Sequence, residues 1–183
     1  MNEFITLDVD KDPYIKVLTT DRVINLTGQS GSGKSTYAKN NFIGEEYLVI
    51  DTDEILSINR FKNSSGINRE LGIHFREKYD ELPNLSNDFD LIYSEILEYC
   101  KDIDKTIVID CAQFHCCKDI SILKGKIVII RTCIDTCYNR CIERFKSLGS
   151  YTFDELEKYK EKKKKIYTWY HQTNKFIEEI DKL

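Results

Sequence analysis

An α/β fold is predicted by three features of the 183-residue sequence. Short apolar, β-branched runs recur at Val23–Thr27, Tyr47–Asp51, Thr106–Asp110 and 126–131, the signature of buried strands. Segments with helical patterning separate them. The first run leads directly into Gly28-Gln29-Ser30-Gly31-Ser32-Gly33-Lys34-Ser35-Thr36, which fits G-x-x-x-x-G-K-[ST] in full. A strand, a glycine-rich turn and a helix over Lys34–Asn41 form the context in which that pattern holds phosphate.

The residue types follow from the task. A polyphosphate has to lie against main-chain N–H groups, so the backbone must come close and bend sharply. Gly28, Gly31 and Gly33 permit this because they lack a Cβ. The N–H groups of Ser30 to Ser35, Ser32 included, then form an anion nest at a helix N-terminus. Lys34 is the candidate for the β- and γ-phosphates, Ser35 for Mg²⁺, and Thr36 for the α-phosphate.

Taken in order, the chain opens with two short strand patterns, Phe4–Asp8 and Tyr14–Leu18, with turn residues between them. Residues 1–20 are therefore expected to form an N-terminal β-hairpin. The loop and its helix follow. The next strand ends in Asp51-Thr52-Asp53, where ligands bind in open α/β sheets. One acid is placed to serve Mg²⁺ through water and the other to accept a proton from an attacking hydroxyl. Asp53 also suits a helix cap opening residues 54–57. Ile58 to Leu85 reads as polar and irregular, and carries Arg60, Arg69, Arg76 and His74. Residues 54–87 are the expected acceptor-binding insert, since guanidinium groups suit phosphate or carboxylate.

An amphipathic helix is expected over residues 88–100. The third strand delivers Asp110 near the metal and its waters, with Gln113 just beyond. After the fourth strand, which ends at Arg131, Asp135 is the expected N-cap of a helix running to Lys146 or Ser147. Arg140 and Arg144 share one of its faces. These two arginines, and Arg131, are candidates for offsetting charge on a transferred group. Thr152-Phe153-Asp154-Glu155 carries the capping-box pattern. Lys162 to Lys165 suit a solvated helix face or an anion-attracting lid surface, and residues 140–165 are the expected short lid. The apolar spacing of the tail suggests a docked helix, with a short strand at 176–180 as the alternative. No repeat or linker divides the chain, so 1–183 is expected to be one domain.

The formal net charge of −4 supplies no footprint for duplex nucleic acid or an anionic membrane. No apolar run approaches the ~20 residues of a membrane span. Met1-Asn2-Glu3-Phe4 lacks the regions of a signal peptide, so a cytoplasmic location is expected. Cys133, Cys137 and Cys141 share a helix face. With His115 and Cys116 they suggest either a zinc site or small apolar core residues, and the wide spacing favours the core.

From these residues the chain resembles the P-loop kinases of the nucleoside-monophosphate-kinase-like group, which includes the adenylate, shikimate, gluconate and polynucleotide kinases. The resemblance spans residues 23–183. It implies a three-layer α/β/α sandwich with a mostly parallel five-stranded core, ATP and Mg²⁺, and transfer of the γ-phosphoryl group to a small-molecule or nucleotide acceptor. Asp51-Thr52-Asp53 looks like the Asp-x-Asp of shikimate kinases. Asp53 also matches the acid that activates the acceptor hydroxyl in polynucleotide kinases. Arg140 and Arg144 look like lid arginines. The resemblance thus implies Lys34, Asp53, Arg140 and Arg144 as catalytic residues, residues 28–36 as the nucleotide loop, and Ser35, Asp51 and Asp110 as magnesium residues. Two positions depart from the group. Leu56 stands where nucleoside-monophosphate and polynucleotide kinases have an arginine, and Asp110-Cys111-Ala112-Gln113-Phe114 replaces the Asp-Gly-Phe-Pro-Arg of adenylate kinases. The alternative function is a nucleotide-binding regulator or a degenerate kinase fold without phosphoryl transfer. The guanine-reading Asn-Lys-x-Asp element is not matched, since Asn174-Lys175-Phe176-Ile177 lacks the acid. The chain is too short for an ABC-type or AAA-type ATPase.

Overall fold

The computed structural model describes residues 13–183. Five strands, Tyr14–Val17 (β1), Val23–Gly28 (β2), Tyr47–Asp51 (β3), Thr106–Asp110 (β4) and Lys126–Ile130 (β5), form a single sheet in the order β1-β5-β2-β4-β3. β2, β3, β4 and β5 run parallel, and each pairs with its neighbour in an unbroken register. The apolar runs form strands because both faces of the sheet are covered; all six residues of β2 are buried.

β1 corrects the expected architecture. It pairs antiparallel with β5, Tyr14 facing Ile129 and Val17 facing Lys126. The fifth strand of the sheet is therefore an arm of the expected N-terminal hairpin, placed at the sheet edge and antiparallel rather than parallel. The other arm, Phe4–Asp8, lies outside the described residues.

One face of the sheet carries the larger core, in which Ile50, Ile109 and Ile127 meet helical residues such as Phe75, Ile92, Tyr93, Ile166 and Tyr170. The opposite face packs Ile24, Leu26, Val108 and Val128 against Ala38 and Phe42, on and just after the helix Lys34–Asn41 (α1). These faces give the three layers.

The segment read as irregular is largely helical. After Thr52–Leu56 (α2) come Ile58–Phe61 (α3) and Gly66–Lys78 (α4). Only Leu71, Gly72 and Phe75 of α4 are buried, so its apolar stripe is too thin to dominate the surrounding polar sequence. The cap of α2 is Asp51 rather than Asp53, because Asp51 has the extended backbone that a cap needs and its side chain accepts from the N–H groups of Asp53 and Glu54. The next helix, Leu85–Tyr99 (α5), starts earlier than expected, at an Asn84 cap, and has a non-helical Asp88 inside it.

Ile134–Ser147 (α6) likewise starts one residue before the expected Asp135 cap, with Cys133 in the N-cap position. Phe153–Lys160 (α7) begins with the complete Thr152–Glu155 capping box. The tail is a helix, Lys162–Asp181 (α8), and not a strand at 176–180. Its Ile166, Trp169, Tyr170, Phe176 and Ile180 are buried on one face. No helix among the described residues is long and apolar enough to cross a membrane.

Candidate active site

The parallel register brings the chemistry to one end of the sheet. β2 runs into the glycine loop, while Asp51 and Asp110 are paired residues at the ends of neighbouring β3 and β4. The loop, both acids, Asp53, Arg60, Gln113, Thr132 and one face of α6 line a cleft of about 990 Å³.

The loop is held from below and from the side. Gly31 and Gly33 have φ of 83° and 89°, a region that favours glycine. A Cβ on Gly31 would stand 2.6 Å from the Cys137 carbonyl oxygen, so the loop can approach α6 only without a side chain there. A Cβ on Gly28 would meet the Ser32 hydroxyl oxygen at 2.7 Å. The Thr132 hydroxyl donates to the Ser32 carbonyl over 2.5 Å. α1 begins at Lys34 with no side-chain cap and no acid in its first turn, which leaves its N-terminal field directed into the cleft.

Lys34 Nζ lies 2.5 Å from Asp110 Oδ1, and both side chains are largely buried. Burial pushes the Asp110 carboxyl above the usual carboxylate range, opposed by the charge and hydrogen bond of Lys34. The Asp110 carbonyl also accepts from the Thr52 hydroxyl over 3.2 Å, tying the start of α2 to the tip of β4.

Asp51 has two separate duties. Its Oδ1 caps α2, accepting from Asp53 N at 2.9 Å and Glu54 N at 3.3 Å. Its Oδ2 accepts from Arg60 Nη2 at 3.0 Å. Asp53, half exposed in the first turn of α2, lies 3.5 Å from Arg60 Nη1. Asn68 braces this corner by accepting from Asp51 N and donating to Glu54 Oε2.

The three arginines of the segment after the aspartates separate. Arg60 faces the cleft. Arg76 stacks 3.7 Å over the Phe61 ring and donates to the Ile55 and Gly72 carbonyls, and burial lowers its pKa. Arg69 lies over the same ring and donates to the Phe61 carbonyl. His74 pairs with Glu95 on the α4–α5 surface. Arg69, Arg76 and His74 therefore do not line the cleft.

Beside the loop, α6 presents Arg140, Glu143, Arg144 and Ser147 to the cleft. Arg140 Nη1 donates to the Gly31 carbonyl at 3.0 Å, and Arg144 Nη2 to the Ser30 hydroxyl at 3.5 Å. Of the cysteine stripe, Cys137 and Cys141 are buried, and Cys141 Sγ touches Ser30. Among the described residues no three His, Cys, Asp or Glu side chains form a metal cluster. Thr132, Asn68 and Glu143 were missed by sequence reasoning. Only Glu143 had a signal, its place on the same helix face as Arg140 and Arg144.

The Ser35 hydroxyl and the carboxylates of Asp51 and Asp110 line the same cleft as the loop. That donor set fits magnesium, which is held by one or two protein carboxylates, substrate phosphates and water rather than by an all-protein cage.

Residues 23–109 match the phosphoribulokinase/uridine kinase family. The match supports a P-loop kinase. It runs from β2 to the penultimate residue of β4, so it includes the loop and the Asp51–Arg60 corner and stops short of α6. No curated protein matches the chain.

Proposed function

We propose that the protein is an ATP-dependent phosphotransferase that moves the γ-phosphoryl group of ATP-Mg to an acceptor hydroxyl. The observation that carries this reading is the placement of Asp53 and the Lys34–Asp110 pair in one cleft with the glycine loop.

The loop N–H groups and the N-terminus of α1 cradle the polyphosphate, and Lys34, oriented by Asp110, reaches its outer phosphates. Ser35, Asp51 and Asp110 would hold magnesium, partly through water, and the ion would supply positive charge to the phosphate oxygens when bound. Asp53 orients the acceptor hydroxyl and takes its proton as the new O–P bond forms and the bond to ADP breaks. Arg140 and Arg144, beside the loop, stabilise charge on the group in flight. Residues 54–87 serve as the acceptor side and 140–165 as the lid. With the loop filled, ADP is the leaving group and its release is the readout.

A screen of nucleosides, nucleotides, sugars and 5′-hydroxyl oligonucleotides for acceptor-dependent ADP release tests the reading. Lys34→Ala and Asp53→Asn both abolish turnover in the expected result, and only Lys34→Ala greatly weakens ATP binding. Wild-type turnover by Asp53→Asn would remove the acid from the mechanism. Calorimetry that detects no uptake of ATP-Mg by folded protein would sink the whole reading.

A further inference from the structure

The acceptor end of the cleft has an unusual charge balance. Arg60 Nη2 lies 3.0 Å from Asp51 Oδ2 and 3.7 Å from Glu54 Oε1, and Nη1 lies 3.5 Å from Asp53 Oδ2. One guanidinium thus serves three carboxylates. The other cations of the cleft lie at its nucleotide end: Lys34 beside Asp110, and Arg140 and Arg144 beside the loop. Arg69 and Arg76 are turned onto Phe61. Leu56, three residues beyond Asp53, packs against the apolar core.

A phosphate or carboxylate arriving here would meet three carboxylates against one guanidinium, and ATP-Mg in the loop, net negative as a complex, does not reverse that balance. To reach Arg60 it would have to displace three acids while remaining next to them. An uncharged hydroxyl compound has the opposite experience, because its O–H groups donate to those same carboxylates. We infer that the acceptor is an uncharged polyol, nucleoside or sugar in class, and that Asp51, Asp53 and Glu54 withhold Arg60 from anions. This rests on the phosphotransferase reading and names the acceptor class for it.

Inorganic phosphate is the probe. It is titrated into protein saturated with the magnesium complex of a non-hydrolysable ATP analogue. The readout is the Arg60 side-chain Nε–H resonance, assigned through Arg60→Lys. In wild type, millimolar phosphate leaves that resonance unmoved. In the Asp53→Asn/Glu54→Gln double variant, phosphate binds at Arg60 at least about tenfold more tightly, with Glu54→Gln alone in between. Saturable binding at Arg60 in wild type overturns the inference, and so does a double variant that stays insensitive. Matched acceptor pairs give a second readout. Each uncharged member is expected to have a kcat/KM at least about tenfold above that of its monophosphate, and the reverse order overturns the inference. Failure of the analogue to bind would instead sink the phosphotransferase reading, and the Arg60 resonance still reports its anion affinity in that case.

Discussion

Gly31 and Gly149 both have positive φ, 83° and 78°, yet they do different work. A Cβ on Gly31 would be driven into the Cys137 carbonyl, while one on Gly149 would meet nothing within 4 Å. Gly149→Ala is expected to lose only the backbone preference, about 1 kcal/mol. Gly31→Ala adds a steric conflict between the loop and α6, so ATP affinity falls at least about tenfold and stability drops by about 1–3 kcal/mol. Calorimetry and urea unfolding of the two variants check the contrast. Equal effects would mean that loop and α6 are not in the contact described. A second residue-scale prediction concerns Glu95. Burial alone would raise its pKa, but hydrogen bonds from Lys78 and His74 hold it below the usual carboxylate range. A depressed folded-state pKa contributes stability above the unfolded value, about 4.3, and that stability disappears as pH falls through the folded value. The melting-temperature gap between wild type and Glu95→Gln should therefore be wide at neutral pH and shrink as the pH is lowered below about 4. A gap independent of pH would show that the pairing does not stabilise the α4–α5 contact. The sequence named most of the residues that line the cleft, because motif and strand-end position are local properties. It named Asp53 as the helix cap where Asp51 caps α2, since either fits chemically and the choice depends on the extended backbone at Asp51.

Legibility at the element scale followed the strength of local signals. Strands β2, β3, β4 and β5 came within a residue of their expected bounds: the inner three are buried on both faces and so continuously apolar, and β3, at the edge with only Ile50 buried, keeps the same apolar run. α3 and α4 were hidden for the opposite reason. They are held in part by the Phe61 ring, on which Arg69 and Arg76 lie, and by an Arg76 guanidinium that spans two carbonyls. A hydrophobicity pattern does not register a charged residue used as packing material. α7 was the reverse case, a helix with no buried residue that was nevertheless announced by its cap. Its N-terminus rests on the Thr152 hydroxyl accepting from Glu155 N, and on the Glu155 carboxylate accepting from Thr152 N. Thr152→Ala should cost about 1 kcal/mol. With little packing to compensate, the loss should appear as faster amide exchange confined to 153–160, with α8 unaffected. Exchange that rises through α8 as well would mean that the two helices open as one unit.

Strand order turns these local features into a site, and no local pattern carried it. β2 sits between β5 and β4, so the loop emerges at the centre of the sheet with Asp110 beside it and Asp51 one strand further. The far side of the molecule is tied to that end by α8. The indole N–H of Trp169 donates to the carbonyl of Ala112, a cleft residue two positions beyond Asp110. Trp169 is the single tryptophan of the chain and is 6% exposed, so its emission reports the fold as a whole from a point anchored to the site. A ligand that binds only the folded state stabilises it by about 2.7 kcal/mol at a hundred times its Kd. For a chain of this length that corresponds to a rise in melting temperature of about 5–10 °C. ATP-Mg should produce this shift in the Trp169 transition. Lys34→Ala has to be judged by the shift and not by its own melting temperature, because removing the ammonium strands Asp110 in a buried position and lowers stability before any ligand is added. The expected result is a lower starting temperature and a flat response to ATP-Mg. An undiminished response in Lys34→Ala would place the nucleotide somewhere other than the glycine loop, and the assignment of Asp53 and Arg60 to an acceptor site would fall with it.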